Sequence, residues 1–121
     1  MVQHADLSPE RWARFSPSQR VLMIANEMNR AMKLMAPPDW QRLRSAYERV
    51  LQLADLTVQT SDRRALRREL LRWRGLVAAL YILPLADPAA HAAALHALLR
   101  LTPEAARQLP LVGNPPSGSA A

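Results

Sequence analysis

This chain of 121 residues contains no cysteine. That excludes disulfides and thiolate metal sites, and it fits a reducing compartment. Glycine is nearly as scarce, with Gly75, Gly113 and Gly118 the only three. Loops that cradle phosphates need several glycines near a helix start, and no such cluster exists here. Aromatic residues number six: Trp12, Phe15, Trp40, Tyr47, Trp73 and Tyr81. β-branched residues are also few, so the core must come mainly from Leu, Val, Met and Ala, a palette that favours packed helices over a sheet. There is no long hydrophobic run. The longest, Gly75 to Ala86, is too short to span a bilayer and contains Pro84. The first eleven residues are polar and lack the apolar centre of a signal peptide. The expectation is a soluble, cytoplasmic protein that does not engage a membrane.

What the chain does have is positive charge. Its formal net charge is +6, and all but one of its sixteen basic residues are arginine. Such a balance suits nucleic acid, an anionic membrane face or an acidic protein partner. An Ala-, Arg-, Pro- and Leu-rich chain is also what a GC-rich coding sequence yields. Half of the residues are apolar, which is enough to bury the core of one domain.

Proline punctuates the chain at helix starts. Proline at the first helical position loses no hydrogen bond, and a Ser, Thr or Asp before it caps the free amides. The pattern recurs at Ser8-Pro9, Ser16-Pro17, Asp87-Pro88 and Thr102-Pro103. Ser16 with Gln19 adds capping-box spacing. These signals predict a short first helix from Pro9 to Phe15, pinned by Trp12 and Phe15, and a second from Pro17 to about Met35. Asp39 caps a third that runs to about Val58, where Thr57, Val58 and Thr60 mark its decay. Ser61 or Asp62 opens a fourth that ends before Pro84. A fifth spans Pro88 to about Leu101, followed by a turn from Pro103 to about Leu109.

Apolar spacing assigns the inward faces. On the second helix these are Val21, Ile24, Ala25, Met28, Met32 and Met35, with Leu22 and Met23 off the stripe and available to a partner. On the third they are Trp40, Leu43, Tyr47, Val50, Ala54 and Val58. Leu66, Leu70, Trp73, Val77 and Leu80 alternate by four and three residues, the seam of left-handed helix packing. The fifth helix is apolar nearly all round, interrupted by His91, His96 and Arg100, so it is buried on most sides by the other helices or by a second subunit. The expected fold is all-α and four-helix-bundle-like: a long antiparallel hairpin of helices three and four with packed flanking helices. It forms one helical domain over residues 1–112, with a disordered Pro-, Gly-, Ser- and Ala-rich tail over 113–121.

Catalytic and metal signatures are missing. His91 and His96 are five apart and diverge by about 140° on a helix, unlike a metal-gripping i, i+4 pair. Glu48 and Asp55 share a face but lie about 10 Å apart along the axis, and no Glu-x-x-His pair accompanies them. No serine, histidine and acid combine at a nucleophile's spacing. Gly75 falls mid-helix, where close helix approach or a slight bend accounts for it. Asp55 lies among Val50, Leu51, Leu53, Ala54 and Leu56, and a partly buried carboxylate there needs a partner. An ion pair with an arginine of the fourth helix is the structural reading, and a ligand-binding acid is the functional one.

The strongest feature outside the core is the run Arg63, Arg64, Arg67, Arg68, Arg72 and Arg74. Like charges four apart oppose one another, acids are few nearby, and arginine at a helix start opposes the macrodipole. Something offsets these costs. The candidates are acids on neighbouring helices (Glu27, Glu48 and Asp55), a polyanion such as nucleic acid, and an acidic protein. Arg63, Arg64, Arg67, Arg68 and Arg72 are the candidate residues for anion or partner binding.

The run Tyr47-Glu48-Arg49-Val50-Leu51-Gln52-Leu53-Ala54-Asp55-Leu56-Thr57, followed by Leu66-Arg67-Arg68-Glu69-Leu70, resembles a group of small, uncharacterised bacterial helical proteins. The resemblance implies the helical hairpin and no activity, cofactor or site residue. The functional expectation is a non-enzymatic interaction protein without cofactor or metal, acting as a homodimer or within a complex. The alternative is a nucleic-acid-associated accessory protein that uses the Arg-rich helix 62–74.

Overall fold

The computed structural model describes residues 8–111; the expected tail over 113–121 lies outside them. Six α-helices follow in order: α1 (Pro9–Trp12), α2 (Pro17–Met32), α3 (Trp40–Thr60), α4 (Arg64–Ile82), α5 (Pro88–Leu99) and α6 (Pro103–Ala106). A 3₁₀ turn at Leu109–Leu111 closes the described chain, which holds no strand. The all-α class is as expected.

Local chemistry sets the starts. The side chains of Ser8, Ser16, Asp87 and Thr102 each accept a hydrogen bond from the amide three residues on, and each precedes a proline. Ser16 and Gln19 complete a reciprocal capping box, and Asp39 caps α3 through the Arg42 amide. α2 stops at Met32, one turn earlier than expected. The chain then turns through a cis Ala36–Pro37 peptide and a Met35–Pro38 bridge. α4 departs from the expected start: neither Ser61 nor Asp62 caps it, and Arg63 stands at the cap position with no side-chain cap bond.

Two contacts fix the direction of the hairpin. Arg74 of α4 meets Asp55 of α3, and seven residues further along α4 Tyr81 meets Glu48, seven residues earlier on α3. Contacts that step in opposite senses define antiparallel helices. α2 packs on the other side of α3, α5 packs against both α2 and α4, α1 lies on α3 and α6 on α2.

The α4 seam is as read from spacing, with Leu66, Leu70, Trp73 and Val77 buried. α3 buries Leu43, Ala46, Tyr47, Val50, Leu53, Ala54 and Thr57, whereas Trp40, in its first turn, stays 40% exposed. The Thr-rich cluster stands at the end of α3, which stops at Thr60, and its hydroxyls are engaged. The Thr57 and Thr60 hydroxyls donate to the Leu53 and Leu56 carbonyls, and the Trp12 indole Nε1 donates to Thr57 Oγ1 at 2.9 Å. That bond pins α1, with Phe15 stacked edge-on against Trp12. Met28 and Met35 are buried, and Leu22, Met23 and Met32 are partly buried and pack against the core.

Among the described residues the one fully buried histidine, His91, joins three helices. His91 Nε2 lies 2.7 Å from the Met28 carbonyl and its Nδ1 2.8 Å from the Tyr47 hydroxyl. A carbonyl only accepts, so Nε2 carries the proton, and a neutral Nδ1 accepts from Tyr47. Burial supports both assignments: it pushes the Tyr47 phenol up and holds His91 below the ordinary histidine value.

Tyr47→Phe strands Nδ1 without a donor and should cost about 1–3 kcal/mol in urea unfolding at pH 8. The linkage has a definite sign. Because the folded-state His91 value is depressed, its stabilisation is complete above the unfolded value of 6.5 and is lost as pH falls through the folded value. Unfolding free energy should therefore fall as pH drops from about 7 to about 5, above the carboxylate range, and His91→Gln should remove that slope. A slope unchanged in His91→Gln contradicts the neutral clasp.

Candidate functional site

The outer face of α4 divides into two halves. From Asp62 to Glu69 only Leu66 is buried; the other seven residues are exposed, including Arg63, Arg64, Arg67 and Arg68. Arg72, also exposed, pairs with Glu69 at 3.3 Å. Arg63 lies close enough to Glu104 to help hold that carboxyl below its usual range, though the largest cause there is the Ser18 hydroxyl. Arg64, Arg67 and Arg68 have no salt bridge among the described residues.

The acids expected to compensate are engaged elsewhere. Glu27, nearly buried, takes Arg49 at 3.0 Å and Arg30 at 3.4 Å. Glu48 accepts from the Tyr81 hydroxyl at 2.6 Å. Asp55 accepts from Arg74 Nε at 2.5 Å and Nη2 at 3.3 Å. The expected pairing of Asp55 with the fourth helix is present, but the pair is exposed rather than buried, with 55% of the Asp55 side chain accessible. Of its apolar neighbours in sequence, Val50, Leu53 and Ala54 face the core, whereas Leu51 and Leu56 share its surface. Asp55 lines an open depression of about 420 Å³ with Glu48, Leu51, Gln52, Leu56 and Gln59, and no arginine shares that lining.

Beyond Arg72 the outer face of α4 turns apolar. Leu76 and Ile82, with Leu85 just past the helix, each leave more than half of their surface in water, as does Leu71 just before Arg72. Between α4 and α5 runs a groove of about 390 Å³ lined by Leu76, Ala79, Leu80, Leu83, Ala90, Ala93 and Ala94, without a charged side chain. α5 is buried along His91, Ala92, Ala94, Leu95, His96, Leu98 and Leu99, while Ala89, Ala90 and Ala93 stay exposed. Its apolar sequence is thus covered on most sides but not on the groove side. The two surfaces are continuous. Arg64, Arg68 and Arg72 climb α4 in four-residue steps that each turn about 40° around the axis, and the next step is Leu76 at the groove.

Spacing alone missed three residues. Arg20 is buried and bonds to the Phe15 carbonyl at 2.9 Å and to Thr60 Oγ1 at 3.3 Å. Thr57 and His91 are the other two. Serine-capped turns beside Arg20 were the only hint for the first; nothing in the local sequence signals the partners of the others. His91 spends both ring nitrogens on protein groups, which leaves neither for a metal while the clasp is made.

No family model, no curated protein and no solved structure matches this chain. The surfaces of α4 and α5 therefore carry the functional argument alone.

Gly75 is exposed, and a Cβ built there meets nothing within 4 Å. Close approach of another helix within the chain does not account for it. Gly75→Ala should raise the stability of the monomeric chain by about 0.5–1 kcal/mol, because glycine loses more backbone entropy in a helix interior. Chemical denaturation checks it; a loss of stability would show that the backbone there needs glycine.

Proposed function

We propose that this chain is a non-enzymatic interaction protein of the cytoplasm, built on a four-helix-bundle-like scaffold, that acts as a homodimer through its α4–α5 face. The observation that carries the reading is the apolar face around the groove. Single exposed leucines are ordinary, but a contiguous apolar patch on a small chain marks an interaction surface. Here Leu76, Ile82 and Leu83 stand beside the small residues Gly75, Ala79, Ala90 and Ala93. Knobs and hollows on one surface are what a two-fold interface requires, since each copy presents both sides of every contact.

Charge selects the orientation. Parallel α4 helices would bring two ladders of Arg64, Arg68 and Arg72 side by side. Antiparallel helices place the ladders at opposite ends and the apolar halves together. No helix among the described residues is long and apolar enough to cross a membrane, so this face has no role as a span.

Light scattering coupled to size-exclusion chromatography tests the reading. At high micromolar concentration the mass should approach twice 13.6 kDa. The neutral double variant Leu76→Gln/Ile82→Gln should return it to one chain, with unfolding free energy within about 0.5 kcal/mol of the parent once the dimer contribution is removed. A wild-type chain that stays monomeric at that concentration overturns self-association.

A further inference from the structure

The dimer face uses the second half of α4 and leaves the first half unexplained. That half is unusual in three respects. Its outer face is open to solvent, with Leu66 the one buried residue between Asp62 and Glu69. It carries Arg64, Arg67 and Arg68 without a carboxylate partner among the described residues. Its charges also flank the helix on both sides: Arg67 and Arg72 are five residues apart and diverge by about 140°, with Arg64 and Arg68 between them.

We propose that this exposed half of α4, Arg63 to Arg72, docks in the major groove of double-stranded DNA and holds it by contacts to phosphates. An exposed helix face with charge on both flanks fits a groove with two charged walls. The major groove of B-form DNA is about 12 Å wide and admits one α-helix. Arg67 reaches one phosphate wall, Arg72 with Arg68 the other, and Arg64 points between. Guanidinium forks take phosphate oxygens in pairs. A flat acidic protein surface engages one flank at a time and leaves the opposite arginines unpaired. Duplex RNA has a major groove too narrow for the helix. Glu69 offsets Arg72 in part, and Asp62 precedes the helix. The net charge of residues 62–72 remains positive, with five arginines against these two acids. Aromatic stacking is not part of this surface, since Trp73 is buried on the seam, so single strands are the weaker ligand.

Fluorescence anisotropy across a salt series tests the proposal, with mixed-sequence DNA duplex, RNA duplex and single-stranded DNA as labelled probes and poly-glutamate as competitor. The DNA duplex should bind tightest, and log affinity should fall linearly with log salt at a slope of about −3 for the three phosphates that Arg67, Arg68 and Arg72 reach. Arg64→Gln/Arg67→Gln/Arg68→Gln should weaken binding about tenfold or more at low salt and flatten the slope by about 2, since Arg67 and Arg68 are the two of the three placed on phosphates. It should keep its helical circular dichroism, because all three side chains are exposed. The charge-matched control Arg30→Gln/Arg42→Gln/Arg44→Gln, three exposed arginines of α2 and α3, should leave the slope in place. Repeating the series with Leu76→Gln/Ile82→Gln separates this proposal from self-association, since each ladder belongs to one chain. Absence of duplex binding at low salt overturns it, as does binding that the triple variant retains. Equal affinity for DNA and RNA duplexes overturns groove docking, and preference for poly-glutamate assigns the arginines to an acidic protein instead.

Discussion

Much of this structure depends on one hydrogen-bonded histidine. α5 is nearly uniform in hydrophobicity around its axis, so burial of apolar surface gives it almost no preferred rotation. Two polar contacts supply that preference. His91 links Tyr47 of α3 to the Met28 carbonyl of α2, and the Trp73 indole donates to the Ala94 carbonyl at 2.7 Å. Both are buried, where an unmade bond costs more than a made one contributes. A rotation of α5 by one residue would break both. The exposure of Ala89, Ala90 and Ala93 beside the leucines of α4 follows from that fixed rotation.

The ion pairs play a smaller part. Arg74–Asp55 and Arg72–Glu69 are exposed, and such pairs contribute roughly 0–1 kcal/mol. Their information is geometric: Asp55–Arg74 with Glu48–Tyr81 fixes the register of the hairpin. The Arg49–Glu27 pair is less accessible, with 16% and 9% of the side chains exposed, and it ties α2 to α3. Each of these contacts removes an acid from reach of the arginines that open α4.

What was legible in the sequence follows the range of the interaction. Helix starts are local chemistry, and Ser8, Ser16, Asp39, Asp87 and Thr102 all cap as their spacing indicates. The α4 seam is legible because Leu66, Leu70, Trp73 and Val77 keep one period. His91 was opaque because its partners lie 44 and 63 residues away. Thr57 read as a helix breaker because its indole partner is 45 residues distant. Asp55 read as buried because its sequence neighbours are apolar, although a helix sends consecutive residues to different faces. The candidate surface was half legible. The arginines of α4 and the apolar character of α5 were plain, while the groove required knowing which alanines face outward.

The arginine ladder raises a question of magnitude. Pairs of like charge four apart cost a helix about 0.2–0.5 kcal/mol each, and an uncapped start with arginine beside it costs about 1 kcal/mol more. Against this, each fully buried Leu, Val or larger apolar side chain contributes about 1.5–3 kcal/mol, and α4 buries four of them along its seam. The seam outweighs the ladder several times over, so the fold does not need the arginines to be neutralised within the chain. This inequality is what lets α4 keep a charged, uncompensated face: its inner side secures the helix, and its outer side is left free to meet an external anion.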